Sequence, residues 1–243
     1  IQTLWGMGEF GSTVDRHEVL GLRYCIERRD TCQRNLQLDQ GVAESLSDAV
    51  TSLRLAKSGQ IAIACTITSR VEPGFGRVGR TMISSTRTPR AYGARYELDD
   101  AAVSRARAIY AALRSRQLAG GTKLAVDRFN QAYARQQPAD RLIDFWIALE
   151  ALFLPDSNEE LRFRAALRVA YYCAGNASER KGMFEKVRAS YDARSKIVHG
   201  SQVLDIGTVM EFTESALRLA LVKAIDLPGS VTAEALNQLV LQV

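Results

Sequence analysis

The stretch "ADRLIDFWIALEALF", residues 139–153, decides the fold. Pro138 stands before it and Leu154-Pro155 stops it, so it reads as one helix. Trp146 and Phe153 lie four residues before and three residues after Glu150, on the same side of that helix. A carboxylate flanked by aromatic rings needs a cation or a hydrogen-bond partner. Glu150 therefore either orients Arg194 or His199, or makes a structural ion pair with another arginine. Asp144 is a similar case that reads as exposed.

Helical signals continue on both sides of this stretch. Asp99 can cap a helix running to about Leu118, with Gly120-Gly121 as its break. "TKLAVDRFNQAYARQQ" reads as the next helix, ended by Pro138. After residue 153 comes "SNEELRFRAALRVAYYCAG", where Ser157 and Glu160 make a capping box. "SERKGMFEKVRASYDARSKIVHG" is another helix, with Gly200 just past its end. "DIGTVMEFTESALRLALVKAI" follows, then a short helix after Pro228-Gly229.

The first 98 residues differ in character. "VAESLSDAVTSLRLAKSG" has helical spacing and Gly59 as a stop. "QIAIACTITS" reads as a strand, "EVLGLRYCIERR" alternates partly with period two, and a further strand is expected near Tyr92 to Leu98. The expected fold class is therefore α+β. A small N-terminal α/β portion, residues 1–98, precedes an all-helical domain, residues 99–243.

Bulk composition narrows the function classes. The chain has 243 residues, 47% hydrophobic and 24% charged, as expected of a soluble globular protein. No apolar run approaches the roughly 20 residues needed to cross a bilayer, and no signal segment opens the chain. Cys25, Cys32, Cys65 and Cys173 form no C-x-x-C pair, and two histidines do not complete a usual zinc set. They read as reduced thiols of a cytoplasmic protein, and neither metal nor cofactor is expected.

The net charge of +5 is concentrated. Arg70, Arg77, Arg80, Arg87, Arg90 and Arg95 share their segment with one acid, Glu72, so the rest of the chain is neutral overall. Such a segment suits an RNA backbone, and Phe75, Tyr92 and Tyr96 offer faces for base stacking.

The stretch "YDARSKIVHG", residues 191–200, carries Arg194 five residues before His199. Cleaving RNA without a metal needs a proton acceptor at a 2′-hydroxyl, a proton donor at the leaving oxygen, and positive charge at the phosphate. A histidine with its pKa near roughly 6.5 serves either proton role. An arginine stays charged and fits two phosphate oxygens at once. Five residues turn about 140° along a helix, so arginine's length must close the gap. Asp192, Ser195 and His199 share a face, which lets Asp192 hold the His199 ring. Lys196 points elsewhere and can reach a phosphate. Arginines are frequent enough that the spacing alone says little, so the neighbouring residues decide its weight.

Those neighbours resemble a known family. "RLIDFWIALEALF", "ELRFRAALRVAYYCAG" and the ending "YDARSKIVHG" are similar to the Apea-like branch of the HEPN superfamily, over about residues 122 to 226. The resemblance implies a small helical HEPN bundle that commonly dimerises. It also implies a metal-independent endoribonuclease with an R-x(4–6)-H motif, two copies of which meet at the dimer interface. Members often act in antiphage defence by cutting host RNA, with transfer RNA a plausible target. Arg194 and His199 fall on the motif positions, with Glu150, Asp192 and Ser195 in support. Many active members carry Asn, Asp or His after the arginine, whereas Ser195 stands here. That departure keeps open a non-catalytic HEPN module that binds RNA, nucleotide or a partner protein.

Overall fold

In the computed structural model, the described residues are 2–3, 24–25, 40–59, 61, 63, 65–71, 78–85, 96–155 and 160–241, with the backbone alone for 65–71 and 78–85. Two compact units are present. One comprises Ile1–Val50 with Ala62–Thr88, the other Thr51–Ile61 with Pro89–Val243.

The first unit holds four strands and the start of a helix. β1 (Gln2–Thr3) pairs in parallel with β2 (Tyr24–Cys25). β3 (Cys65–Val71) runs antiparallel to β4 (Val78–Ser85), with Ile67 opposite Ile83 and Cys65 opposite Ser85. The register shifts between Ser69 and Val71. α1 (Gln40–Ala56) begins in this unit and ends in the second.

The α+β expectation is corrected here. Eight helices carry the architecture among the described residues, and the strands form only two separate two-stranded ladders. Among the described residues each strand has a single partner, so these ladders offer no broad sheet face for helices to cover and build no α/β layer. Within "EVLGLRYCIERR", Tyr24 and Cys25 form β2, and the other residues of that stretch lie outside the described residues. Tyr96 to Leu98, expected as the end of a strand, is irregular.

The second unit is a helical assembly of α2 (Asp100–Ser115), α3 (Gly120–Ala132), α4 (Pro138–Phe153), α5 (Leu161–Cys173), α6 (Ala177–Val198), α7 (Ile206–Asp226) and α8 (Ala233–Leu241). α4 lies at its centre and packs against α3, α5, α6 and α7. Leu142, Phe145, Trp146, Ala148, Leu152 and Phe153 of α4 are fully buried. α7 meets them with Leu217, Leu221 and Ile225, and α3 with Phe129. Each such side chain contributes about 1.5–3 kcal/mol when removed from water.

Local chemistry sets the helix ends. Asp99 caps α2 by accepting from the Ala102 amide at 2.7 Å, and Lys57 Nζ pairs with the same carboxylate at 2.6 Å. Asn176 caps α6 by accepting from the Glu179 amide at 3.0 Å. Pro138 begins α4, as a ring with no amide proton can at a first turn, while α3 has already ended at Ala132. Ser157 of the expected capping box lies outside the described residues, and Glu160 itself precedes α5 in a left-handed conformation. Gly121 is not a break but the second residue of α3. A Cβ there would sit 2.6 Å from the Ala151 carbonyl oxygen, so glycine allows α3 to lie close on α4.

The end of α1 is fixed to the helical unit by Arg54. Its guanidinium donates to Asn130 Oδ1 at 2.8 Å and to the Ile61 carbonyl, and it lies 4.4 Å above the Tyr133 ring. Arg218 of α7 donates to the Arg54 carbonyl at 2.9 Å and pairs with Glu214, which also accepts from the Tyr133 hydroxyl. Burial lowers the Arg54 pKa to about 10. Among the described residues, no helix is long and apolar enough to cross a membrane.

Candidate active site

The site is built on the last turns of α6. Val187, Ser190 and Ala193 are the buried residues of this helix. Trp146 Nε1 of α4 donates to Ser190 Oγ at 2.9 Å, Ser190 and Thr213 of α7 share a 2.5 Å hydrogen bond, and Thr213 donates to the Val209 carbonyl. This buried chain fixes the rotation of α6 about its axis. Tyr191, next in sequence, stands edge-on to Trp146 with ring centroids 5.1 Å apart.

One turn further on, Arg194 is held at the rim. Its Nη2 lies 3.5 Å from Glu150 Oε1, and its guanidinium carbon lies 5.8 Å from the Tyr191 ring centroid. The two charged side chains are 24% and 26% exposed, so solvent reaches both. Glu150 and Arg194 thus meet, which is one of the alternatives the sequence left open for Glu150. Burial pushes the Glu150 carboxyl above the ordinary carboxylate range, and the Arg194 charge opposes that push. Arg194 Nε is buried without a hydrogen-bond partner. A buried donor left unpaired costs about 1–3 kcal/mol. Tyr191 is the residue that links Trp146 to Arg194.

His199 caps the C-terminus of α6. Its amide donates to the Ser195 carbonyl at 3.1 Å and its side chain is exposed. Gly200 follows with φ +78, a conformation that costs other residues dearly, and Ser201 donates back to the Lys196 carbonyl at 2.8 Å. This closure turns the chain away immediately after His199. The imidazole makes no hydrogen bond among the described residues.

Other expected supports are placed differently. Asp192 does not hold the His199 ring; it pairs with Arg162 of α5 at 2.6 Å, with both side chains exposed. The long side chain of Arg162, from the neighbouring helix, takes that carboxylate instead. Ser195 is half-buried, and its hydroxyl makes no hydrogen bond among the described residues. Lys196 is exposed. Asp144, expected at the surface, is 2% exposed and is paired with Arg135 at 2.6 Å and Arg128 at 3.3 Å. Those partners come from α3 and the turn after it, beyond the reach of spacing rules along α4.

The basic segment falls mostly outside the described residues. Arg77, Arg87, Arg90 and Arg95 lie outside the described residues, as do Phe75, Tyr92 and His17. Arg70 and Arg80 sit in β3 and β4, where the backbone alone is described. Tyr96 serves the fold: its hydroxyl donates to the Leu53 carbonyl at 2.9 Å, and its backbone and ring lie against Gly59. Burial pushes the Cys173 thiol up to about 12, so it stays protonated at neutral pH. No three His, Cys, Asp or Glu side chains converge among the described residues as a metal site would need.

Comparison with protein-family models, with curated proteins and with solved structures returns no match.

Proposed function

We propose that this chain is an Apea-like HEPN endoribonuclease that cuts RNA without a metal ion and works as a homodimer. The observation that carries this reading is Arg194. It is held at the protein surface by Glu150 and Tyr191, keeps a buried donor uncommitted, and precedes an exposed imidazole at the same helix end.

The chemistry follows from those two side chains. A general base removes the proton from a ribose 2′-hydroxyl, and the oxygen attacks the adjacent phosphorus. The bond to the 5′-oxygen breaks as a general acid protonates it, leaving a 2′,3′-cyclic phosphate and a 5′-hydroxyl. His199 takes one of these proton roles. Arg194 faces the charge that grows on the phosphate oxygens. One imidazole does not fill both roles at once, so the reading calls for a second copy whose motif meets the first. Glu150 positions Arg194. Ser195 borders the pair, while Asp192 is committed to Arg162 and is assigned no catalytic part. The arginines of residues 70–95 and Lys196 are assigned to the RNA backbone. A cytoplasmic, antiphage role with transfer RNA as target belongs to the same proposal.

The test is incubation with total transfer RNA in EDTA. Discrete fragments ending in 2′,3′-cyclic phosphate are expected from the parent protein, and none from His199→Ala at equal melting temperature. Equal cutting by His199→Ala would rule the mechanism out. One observation favours a second reading, a non-catalytic HEPN module that binds RNA, nucleotide or a partner: nothing among the described residues orients the His199 ring. Clean RNA binding without fragments is the outcome that selects it.

A further inference from the structure

We propose that the open depression lined by Leu161, Arg162, Phe163, Arg188 and Tyr191 is a stacking subsite for an unpaired base of single-stranded RNA. The inference rests on the ribonuclease reading and adds a substrate feature to it. The depression encloses about 560 Å³, within the size range of ligand sites. Phe163 projects into it from the first turn of α5 and is 50% exposed, unusual for a large aromatic ring. Phe184 of α6 packs against it at 80°, with centroids 5.6 Å apart, which holds the ring while half of its surface stays exposed.

Charge selects the occupant. The Arg188 guanidinium lies 5.5 Å from the Phe184 centroid, and no carboxylate among the described residues pairs with it. Arg162 is paired with Asp192, and among the described residues Glu160 is the other acid lining the depression. Along α6, Phe184, Arg188, Tyr191 and Arg194 follow at steps of four, three and three, so rings and guanidinium groups alternate on one helix face. Rings take the π-faces of bases, and guanidinium groups take the phosphates between them. The strip ends at Arg194, which already lies over Tyr191. A base paired inside a duplex has no free face to offer, so the subsite selects unpaired nucleotides. Docking of a protein surface would instead strand the Arg188 charge out of water.

The experiment uses the His199→Ala protein, to silence cleavage, and a fluorescein-labelled single-stranded RNA 12-mer in EDTA. Adding Phe163→Ala is expected to raise Kd about tenfold while the dependence of affinity on salt is unchanged, because stacking releases no counterions. Adding Arg188→Ala is expected to weaken binding and to reduce the salt slope by about 0.7, one phosphate contact on a single strand. Circular dichroism checks that each variant keeps its helices. An unchanged Kd for Phe163→Ala overturns the subsite. So does conversion of a dimer to a monomer by Phe163→Ala in sedimentation, which would make this face a contact between copies. If the parent protein cuts no RNA but Phe163 still governs binding, the nuclease reading falls and the subsite stands. If the parent cuts and Phe163→Ala binds equally well, the subsite alone falls.

Discussion

Arg194 is fixed by contacts that each act on a different part of it. Glu150 takes one guanidinium edge, Tyr191 underlies it, and Nε stays free for an acceptor. Lysine at this position keeps the charge but loses the planar fork. Arg194→Lys is therefore expected to lower RNA cleavage at least about a hundredfold, roughly 2.7 kcal/mol of transition-state stabilisation. Melting should move by no more than a few degrees, and single-turnover kinetics beside a thermal melt checks both. Glu150 gives a second test through pH. Its carboxyl holds its proton to higher pH in the folded chain than in the unfolded one. The folded state thus binds more protons than the unfolded state there, and stability falls as pH rises through that range. Glu150→Gln removes this slope. Urea unfolding from about pH 4.5 upward should show the variant gaining on the parent as pH rises; a constant difference at every pH would contradict the assignment. That Glu150 needs a cation was legible from its two aromatic neighbours, but which cation was not, because Arg194 comes from another helix. The Asp192–Arg162 pair was not, since it joins residues on two helices whose facing could not be read from either one.

At the scale of elements, the helices were the legible part. Asp99, Gly59 and Gly200 carry their signal in one or two residues, and the structure uses each where such residues belong. Strands need a partner, and nothing in "EVLGLRYCIERR" says which segment that is, so the pairing of Tyr24–Cys25 with Gln2–Thr3 could not be read from it. Asp144 shows the same limit within a helix: its burial depends on Arg135 and Arg128 arriving from elsewhere. Two glycines test the element ends. Gly121→Ala puts a methyl group against the Ala151 carbonyl and should cost about 1–3 kcal/mol in urea unfolding as α3 and α4 move apart. No loss of stability would mean that the helices do not approach there. Gly200→Ala, at φ +78, should cost about 1 kcal/mol and also reduce RNA cleavage, because the turn that positions His199 is strained. Full activity in that variant would separate the turn from the site.

At the scale of the molecule, the helical unit contains a charged centre as well as an apolar one. Arg218, Glu214, Tyr133 and Arg54 join α7, α3 and the end of α1 through the interior. Removing the carboxylate leaves guanidinium groups buried beside one another. Glu214→Ala is expected to lower stability by about 3–5 kcal/mol, read by urea unfolding. A loss under 1 kcal/mol would show the charges to be solvated. This centre was invisible in sequence, because Arg54 and Arg218 stand 164 positions apart. The proposed reaction asks for two copies, and mixing tests that demand most directly. The parent protein is exchanged with an equal amount of His199→Ala protein, and transfer RNA cleavage is measured per parent chain in EDTA. If each cut needs an imidazole from both copies, activity per parent chain should fall to about half, since random pairing leaves half of the parent chains in mixed dimers. Activity per parent chain that stays constant would show each chain cutting alone and would contradict the shared site.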